Sequence, residues 1–197
     1  GDQNKAIELG RTAMESFGFE YVVITDTEGT VFVRAHEPQT FGDNIANQVN
    51  IQNALKGEQS VGIEMGKVVK FSIRAGTPLR DEAGNIIGAL STGYVLGSTQ
   101  TAKTFGDTLN KEIVIYDGDT GIASTVKPDD AEFISSIKLE QNVIEKTLGN
   151  GEIYCGDAKL GGQDYIGSYT PFKNVNGENA GVIFCGEPKS VISGLSR

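Results

Sequence analysis

The 197-residue chain contains a tandem repeat, and this repeat limits the folds that the chain can adopt. A triplet of threonine, proline and an apolar residue, followed by three glycines, occurs twice with the same internal spacing. The first copy comprises Thr77-Pro78-Leu79, Gly84, Gly88 and Gly93, and the second comprises Thr170-Pro171-Phe172, Gly177, Gly181 and Gly186. The offset from Thr77 to Thr170 is 93 residues, an ordinary length for a small domain, so the sequence predicts two copies of one module.

Each copy has the hydrophobic pattern of strand, turn, strand, helical stretch and three further strands. In the first copy the strands are predicted at residues 22–25, 30–36, 61–65, 67–77 and 86–95, with the last two joined across residues 78–85. A short helix ends before Gly57, and in the second copy the helical stretch spans residues 131–148. The predicted fold is α+β, with a five-stranded antiparallel sheet in each module and helices on one face.

The ends of the modules are predicted to be helical. Apolar residues recur at helical spacing in residues 4–17, which indicates a long N-terminal helix. The predicted organisation is an N-terminal helix at residues 1–18, a first module at 19–97, a partly helical connector at 98–111, a second module at 112–189 and the start of an exit helix at 190–197.

Charge and motif content exclude several function classes. The net charge of −9 gives no basic field for a phosphate backbone, so no nucleic-acid partner is expected. The sequence has no phosphate loop, dinucleotide fingerprint, nucleophile elbow or paired-histidine metal motif. We therefore expect no enzymatic activity, no cofactor and no metal. No apolar run reaches the ~18 residues that span a bilayer.

The two cysteines lie in short β-like runs. Cys155 and Cys185 are interpreted as free thiols in the core, with a bridge between them as the alternative.

Several motifs of the first copy, taken in order, resemble a known sensor family. They are Asp26-Thr27-Glu28-Gly29, Arg34-Ala35-His36-Glu37-Pro38, Phe41-Gly42-Asp43, Ala54-Leu55-Lys56-Gly57-Glu58, Ser72-Ile73-Arg74-Ala75-Gly76-Thr77-Pro78 and Gly88-Ala89-Leu90-Ser91-Thr92-Gly93-Tyr94. Together they resemble the extracytoplasmic double Cache (PAS-like) sensor region of bacterial methyl-accepting chemotaxis proteins.

The resemblance implies a membrane receptor. Transmembrane helices outside these 197 residues would anchor the protein in the cell membrane, with this region extracytoplasmic, and the full-length receptor would be a homodimer. The first module would be membrane-distal and ligand-binding, and the second membrane-proximal.

A candidate anion site is predicted in the first module. Arg34 and His36 alternate along one strand, and Ser72 and Arg74 along another, so each pair projects from one sheet face. Two cations, an imidazole and a hydroxyl could bind a small carboxylate. By resemblance to the citrate and C4-dicarboxylate sensor kinases, His36, Ser72, Arg74 and Ser91 lie at or near ligand contacts.

Two departures from those kinases predict a smaller or less charged ligand. Val33 and Gly76 stand where the kinases have basic residues. The structural alternative is that the arginines pair with acids such as Glu37, Asp43 or Glu64.

The second copy lacks the corresponding polar residues. At the 93-residue offset, Tyr165 replaces Ser72, Gly167 replaces Arg74 and Phe184 replaces Ser91. We expect this module to be packed and to transmit a signal rather than bind the ligand.

The resemblance, together with the candidate anion site, implies the ligand-binding sensor region of a transmembrane chemoreceptor for a small anionic metabolite. One alternative is the sensor region of a histidine kinase or cyclic-dinucleotide enzyme. The other is a docking module that recognises a binding protein and has no small-molecule ligand.

Overall fold

Two antiparallel sheets of five strands each form the architecture. The computed structural model describes residues 2–65 and 71–194, and the chain divides into two units, Gly1–Val95 and Leu96–Arg197. The first sheet has the order β2-β1-β5-β4-β3, with β1 Tyr21–Thr25, β2 Val31–Arg34, β3 Ser60–Met65, β4 Phe71–Arg80 and β5 Ile86–Val95. The second has the order β7-β6-β10-β9-β8, with β6 Glu112–Asp117, β7 Thr120–Ser124, β8 Tyr154–Leu160, β9 Gln163–Lys173 and β10 Asn179–Pro188. The predicted α+β fold with two repeated antiparallel sheets is confirmed.

Six α-helices lie in the described part of the chain. They are α1 Gln3–Phe17, α2 Val49–Leu55, α3 Thr99–Leu109, α4 Ala131–Ser136, α5 Gln141–Ile144 and α6 Lys189–Gly194, and a π-helical turn follows α5 at Glu145–Gly149. The exit helix was predicted at 190–197, of which residues 195–197 lie outside the described residues.

The N-terminal helix α1 packs closely on its sheet at a glycine. Asp2 caps α1 by accepting from the Lys5 backbone N–H, and the helix ends at Gly18 with a φ of 72°. A Cβ added at Gly10 would lie 2.6 Å from the Ala35 Cβ and 3.3 Å from Val22 Cγ1, so the helix backbone approaches the sheet there. Glycine is therefore required at this contact.

Helix α3 occupies the corresponding place in the second unit. A Cβ on Gly106 would lie 3.0 Å from Thr125 Cγ2 and 3.8 Å from Ile113 Cγ1. The predicted connector at 98–111 is thus largely a helix that packs on its own sheet as α1 does in the first unit.

The helices of the first unit lie on both faces of the sheet, so the prediction of helices on one face is wrong. Gly10 of α1 lies over Val22, whereas Ile51 and Ala54 of α2 belong to a buried cluster with Tyr21 and Val23. Because side chains alternate along a strand, Val22 and its two neighbours point to opposite faces.

Strand β4 is longer than predicted at its C-terminal end. It continues through Pro78 to Arg80, and the turn to β5 is confined to residues 81–85. The partner strand β3 pairs with β4 only as far as Gly76, so Pro78 has a neighbouring strand on one side alone, where proline is tolerated. The predicted start of this strand, at residues 67–70, lies outside the described residues.

The helical stretch predicted at 131–148 is interrupted. Ile137 is extended, with φ −72° and ψ 117°, and the segment that follows bonds to β7 and its turn instead of continuing the helix. The Gly121 N–H donates to the Ile137 carbonyl, and the Leu139 N–H donates to the Asp119 carbonyl. These bonds separate α4 from α5.

The two cysteines flank the same strand. Cys155 on β8 and Cys185 on β10 are both paired in register with Ser168 of β9. Two strand spacings separate them by about 9.5 Å, beyond the reach of a disulfide. Both are free thiols, but Cys155 is exposed, so its prediction as a core residue is wrong.

Candidate functional site

One face of the first sheet brings the predicted site residues together. Arg74 of β4 and Tyr21 of β1 both pair with Gly93 of the intervening strand β5. Val23 pairs with Ser91 of β5 on one side and with Arg34 of β2 on the other. In-register residues share a face, so these side chains lie on the face that α2 covers.

A cavity of about 50 Å³ lies on this face. Four of the five predicted residues line it, namely Arg34, His36, Arg74 and Ser91. Residues that the sequence analysis did not assign to the site also line it, among them Tyr21, Asp43 and Gln48.

Ser72 does not line the cavity and supports Arg74 instead. Its side chain is fully buried, and its Oγ accepts a 2.7 Å hydrogen bond from Arg74 Nε. Arg74 is 5% exposed, and its guanidinium carbon lies 6.0 Å from the centre of the Tyr21 ring. Ser72 and Tyr21 therefore hold a buried cation at the cavity wall.

Tyr21 remains a neutral hydrogen-bonding group. Its hydroxyl donates to the Ile73 carbonyl at 3.2 Å. Burial raises the pKa of Tyr21 to about 12, although the nearby charge of Arg74 opposes this rise.

Ser91 is held by a residue of helix α2. Asn50 Nδ2 donates to Ser91 Oγ at 2.7 Å, and the Ser91 hydroxyl also forms a side-chain hydrogen bond with Tyr21. The Asn50 Oδ1 atom is buried and has no hydrogen-bond partner among the described residues.

Helix α2 is fixed over the site by a buried carboxylate. Glu64 of β3 is 4% exposed and accepts from the backbone N–H groups of Val49 and Asn50, at 3.0 and 2.8 Å. These are first-turn donors of α2, which lack partners within the helix. Glu64 therefore links the edge strand β3 to Asn50, whose side chain contacts Ser91.

His36 faces the same cavity as a partly buried imidazole. Its ring packs edge-on to Tyr21 with 5.9 Å between ring centres, and its Nδ1 atom is buried without a partner in the described part of the chain. Burial lowers the pKa of His36 from its usual 6.5, while the Val22 carbonyl acts in the opposite direction. The imidazole is therefore predominantly neutral at pH 7.

Arg34 is already engaged by an acid. Its Nη1 and Nη2 atoms donate to the two carboxylate oxygens of Asp43 at 2.6 and 2.8 Å, and Nη1 also donates to the Thr40 carbonyl at 2.9 Å. The pairing that the sequence analysis weighed as a structural alternative for the arginines is thus present at Arg34.

The equivalent face of the second unit is filled by aromatic side chains. Tyr169 packs on Phe184 with 4.8 Å between ring centres and on Tyr154 with 5.9 Å. Tyr165, Tyr169 and Phe184 are all buried in the core of this unit. The packing predicted for this module is therefore present.

A groove of about 660 Å³ in the second unit is larger than the first unit's cavity. Three of its charged groups already have partners within the protein, because Lys111 pairs with Glu187 at 3.2 Å and Glu112 accepts from the Thr125 hydroxyl. Because Lys111 and Glu187 neutralise each other and both side chains are about one-third exposed, the groove is the weaker candidate.

The part of the chain that the structure describes has no candidate metal-binding cluster. No group of three or more His, Cys, Asp and Glu residues is placed to hold a metal ion within residues 2–65 and 71–194. Over these same ranges, none of the helices combines the length and apolar character needed to cross a membrane.

Two solved structures of known sensors share this fold. The ligand-binding domain of the Campylobacter jejuni chemoreceptor Tlp3, in complex with 4-methylisoleucine, has a TM-score of 0.53 and 16% sequence identity, and the match covers 96% of this chain and 73% of that chain. The sensor domain of the V. cholerae histidine kinase DctB has a TM-score of 0.54 and 13% identity, with 94% and 78% of the two chains covered.

Sequence comparison identifies the family. No curated protein sequence matches the chain. The family model dCache_3, described as the double sensory domain of two-component sensor kinase, matches residues 1–192. Together with the two repeated antiparallel sheets, this match shows that the chain belongs to the double Cache family of sensory domains.

Proposed function

We propose that this chain is the extracytoplasmic ligand-binding region of a transmembrane receptor, and that its first unit binds a small ligand with one carboxylate group. The observation that carries the proposal is the buried cation Arg74, held by Ser72 and Tyr21 at a cavity that also contains Ser91 and His36. The corresponding position of the second unit is Gly167, which has no side chain to offer a ligand.

The charge balance of the site disfavours a ligand with several negative charges. Arg34 and Arg74 contribute two positive charges, but Asp43 pairs with Arg34, and the buried carboxylate of Glu64 lies on the same face. His36 adds little positive charge, because burial keeps its pKa low. A ligand with two or three carboxylates would find no matching excess of positive charge.

The cavity volume limits the size of the ligand. About 50 Å³ holds only one or two water-sized groups, because each water occupies about 30 Å³ in the liquid. A larger carboxylate would require the cavity to widen on binding. Amino acids belong among the candidates, since Tlp3 has also been solved in complex with L-norvaline and with isoleucine bound.

For the output we propose chemotaxis signalling by a homodimeric receptor, with a sensor histidine kinase as the second candidate. The chemoreceptor Tlp3 shares the fold, but the family model is described for two-component sensor kinases. The cytoplasmic sequence of the full-length protein distinguishes the two.

Calorimetry with matched ligand pairs tests the proposed function. Small monocarboxylates and amino acids are titrated beside their amides, such as propionate beside propionamide. We expect at least one acid to bind and its amide to bind at least tenfold more weakly, because the amide cannot accept a charge-assisted bond from Arg74. Equal binding of acid and amide would contradict the carboxylate site, and binding of none would favour the docking module.

A further inference from the structure

We infer that Asp43 determines the charge selectivity of this site: it cancels the charge of Arg34, so that Arg34 offers hydrogen bonds but no net positive charge to a ligand whose carboxylate is held by Arg74. This inference rests on the proposed function. It adds that the site rejects anions with more than one carboxylate and that Asp43, which lines the cavity, is the residue responsible.

The hydrogen-bond donors of Arg34 are only partly used. An arginine has five N–H donors, two on each Nη and one on Nε. The Asp43 carboxylate takes one donor from each Nη, and the Thr40 carbonyl takes the second donor of Nη1. The Nε donor and the second Nη2 donor have no acceptor among the residues that the structure describes. Both lie on one edge of the planar group, where they can donate hydrogen bonds to a ligand held by Arg74.

Asp43 cannot leave this arrangement easily, because its backbone is bonded to β2. The Val31 N–H donates to the Asp43 carbonyl at 2.8 Å, and the Gly42 N–H donates to the Val31 carbonyl at 2.8 Å. An isolated bridge joins Thr30 to Asn44 on the other side. Asp43 is therefore a fixed partner of Arg34 and not a group that a ligand displaces.

The position of Asp43 also explains how a second ligand charge would be rejected. Arg34 is 8% exposed at its side chain, whereas Asp43 is 49% exposed and lines the cavity. The exposed Glu37 lines the cavity as well. A dicarboxylate held by Arg74 would bring its second carboxylate toward these acids, and Arg34 would supply hydrogen bonds without net positive charge.

The test compares two anions that differ by one carboxylate, propionate and succinate, by calorimetry on the intact chain. We expect the wild type to bind propionate more tightly than succinate. In Asp43→Asn the ratio of the two dissociation constants should shift toward succinate by about tenfold or more, because one negative charge is removed within several ångströms of the ligand. Asp43→Glu, which keeps the charge, should retain the wild-type preference.

The controls separate charge selectivity from a structural role. Asp81→Asn removes an exposed acid in the β4–β5 turn and should leave the ratio unchanged. If Asp43→Asn does not fold, Asp43→Ser carries the same expectation. If the Asp43 variant binds both propionate and succinate more weakly by the same factor, the inference is overturned and the proposed function remains intact. If neither anion binds to the wild type, alanine and aspartate replace them as a pair that differs by one carboxylate. Binding of none of these acids or of the acids in the calorimetric screen would overturn both the inference and the proposed function.

Discussion

Arg74 and Gly167 occupy equivalent positions in the two sheets. Each lies on the fourth strand of its unit, and each is paired with a glycine of the fifth strand, Gly93 for Arg74 and Gly186 for Gly167. The strand pairing around this position is thus the same in both repeats, but the first unit has a buried cation there and the second has a glycine. This difference predicts which unit responds to ligand.

Replacing Arg74 should abolish most ligand binding. Arg74→Gln removes the charge at the cavity wall, and losing a charge-assisted hydrogen bond costs about 1.5–3 kcal/mol, or roughly 10- to 150-fold in affinity. Arg80→Gln is the matched control, because Arg80 is exposed at the end of the same strand. Calorimetry with a monocarboxylate measures both. Normal binding by Arg74→Gln together with lost binding by Tyr165→Ala or Tyr169→Ala would assign the site to the second unit.

The stability of the protein should depend on the protonation of His36. Because the folded pKa lies below 6.5, the unfolded chain binds more protons between the two values. The stabilisation is therefore complete above about pH 6.5 and is lost as the pH falls through the folded pKa. Urea unfolding at several pH values should show a smaller decline for His36→Gln than for the wild type. Equal declines would contradict the low pKa.

Ligand binding reports which form of His36 meets the anion. His36 is the chain's single histidine, so its imidazole proton resonance can be titrated without ambiguity. If the imidazolium donates to the ligand, bound anion raises the pKa, and affinity is highest below the pKa of the free protein and falls as the pH rises through the bound value. A flat affinity between about pH 5.5 and 8 would instead show that the arginines hold the anion without a charged His36.

The two thiols should react at different rates. Cys155 is exposed on the edge strand β8, whereas burial raises the pKa of Cys185 and reduces its thiolate fraction. A chromogenic disulfide reagent should therefore give a fast phase that Cys155→Ser removes and Cys185→Ser retains. An intramolecular bridge in the native protein under mild oxidation would contradict the strand positions.

Gly76 should not tolerate a larger residue, because helix α2 crosses β4 at this point. A Cβ at Gly76 would lie 2.2 Å from the Asn50 carbonyl oxygen, so Gly76→Ala would displace α2 and the Asn50 side chain that contacts Ser91. Overpacking of this kind costs typically about 1–3 kcal/mol. Urea unfolding should show this loss for Gly76→Ala and little change for Gly97→Ala, whose added Cβ would have no neighbour nearer than 3.5 Å. Equal losses of stability in Gly76→Ala and Gly97→Ala would contradict the close contact between Gly76 and the backbone of α2.

The fold was largely predictable from the sequence because the repeat gives the number of modules and the local alternation of apolar residues gives the strands. The errors lie where tertiary contacts determine the structure. The helix that contains residues 131–136 ends because the Ile137 carbonyl accepts from the Gly121 N–H. Strand β4 continues through Pro78 because its neighbour β3 pairs with it only as far as Gly76, so no hydrogen bond to β3 is lost at the proline. The periodicity of apolar residues along the sequence predicts neither the end of this helix nor the extension of β4.

The candidate site was predictable only in part. Alternation along β2 accounts for Arg34, but β2 ends there and His36 reaches the cavity from the bend that follows the strand. The same rule applied to Tyr21 and Val23 would have added Tyr21. The partner of Arg34 depends on how the following loop returns to β2, and the role of Ser72 depends on the direction of the Arg74 side chain. Such pairings require three-dimensional packing.

The strand order has a consequence for how such a chain can be built. In each unit the first and last strands are central neighbours: Tyr21 pairs with Gly93, and Glu112 pairs with Gly186. The start of the first strand and the end of the last strand of each unit are therefore adjacent, and these two strands are hydrogen-bonded to each other. A module with adjacent termini can be duplicated, exchanged or spliced into another protein without cutting any strand of its sheet.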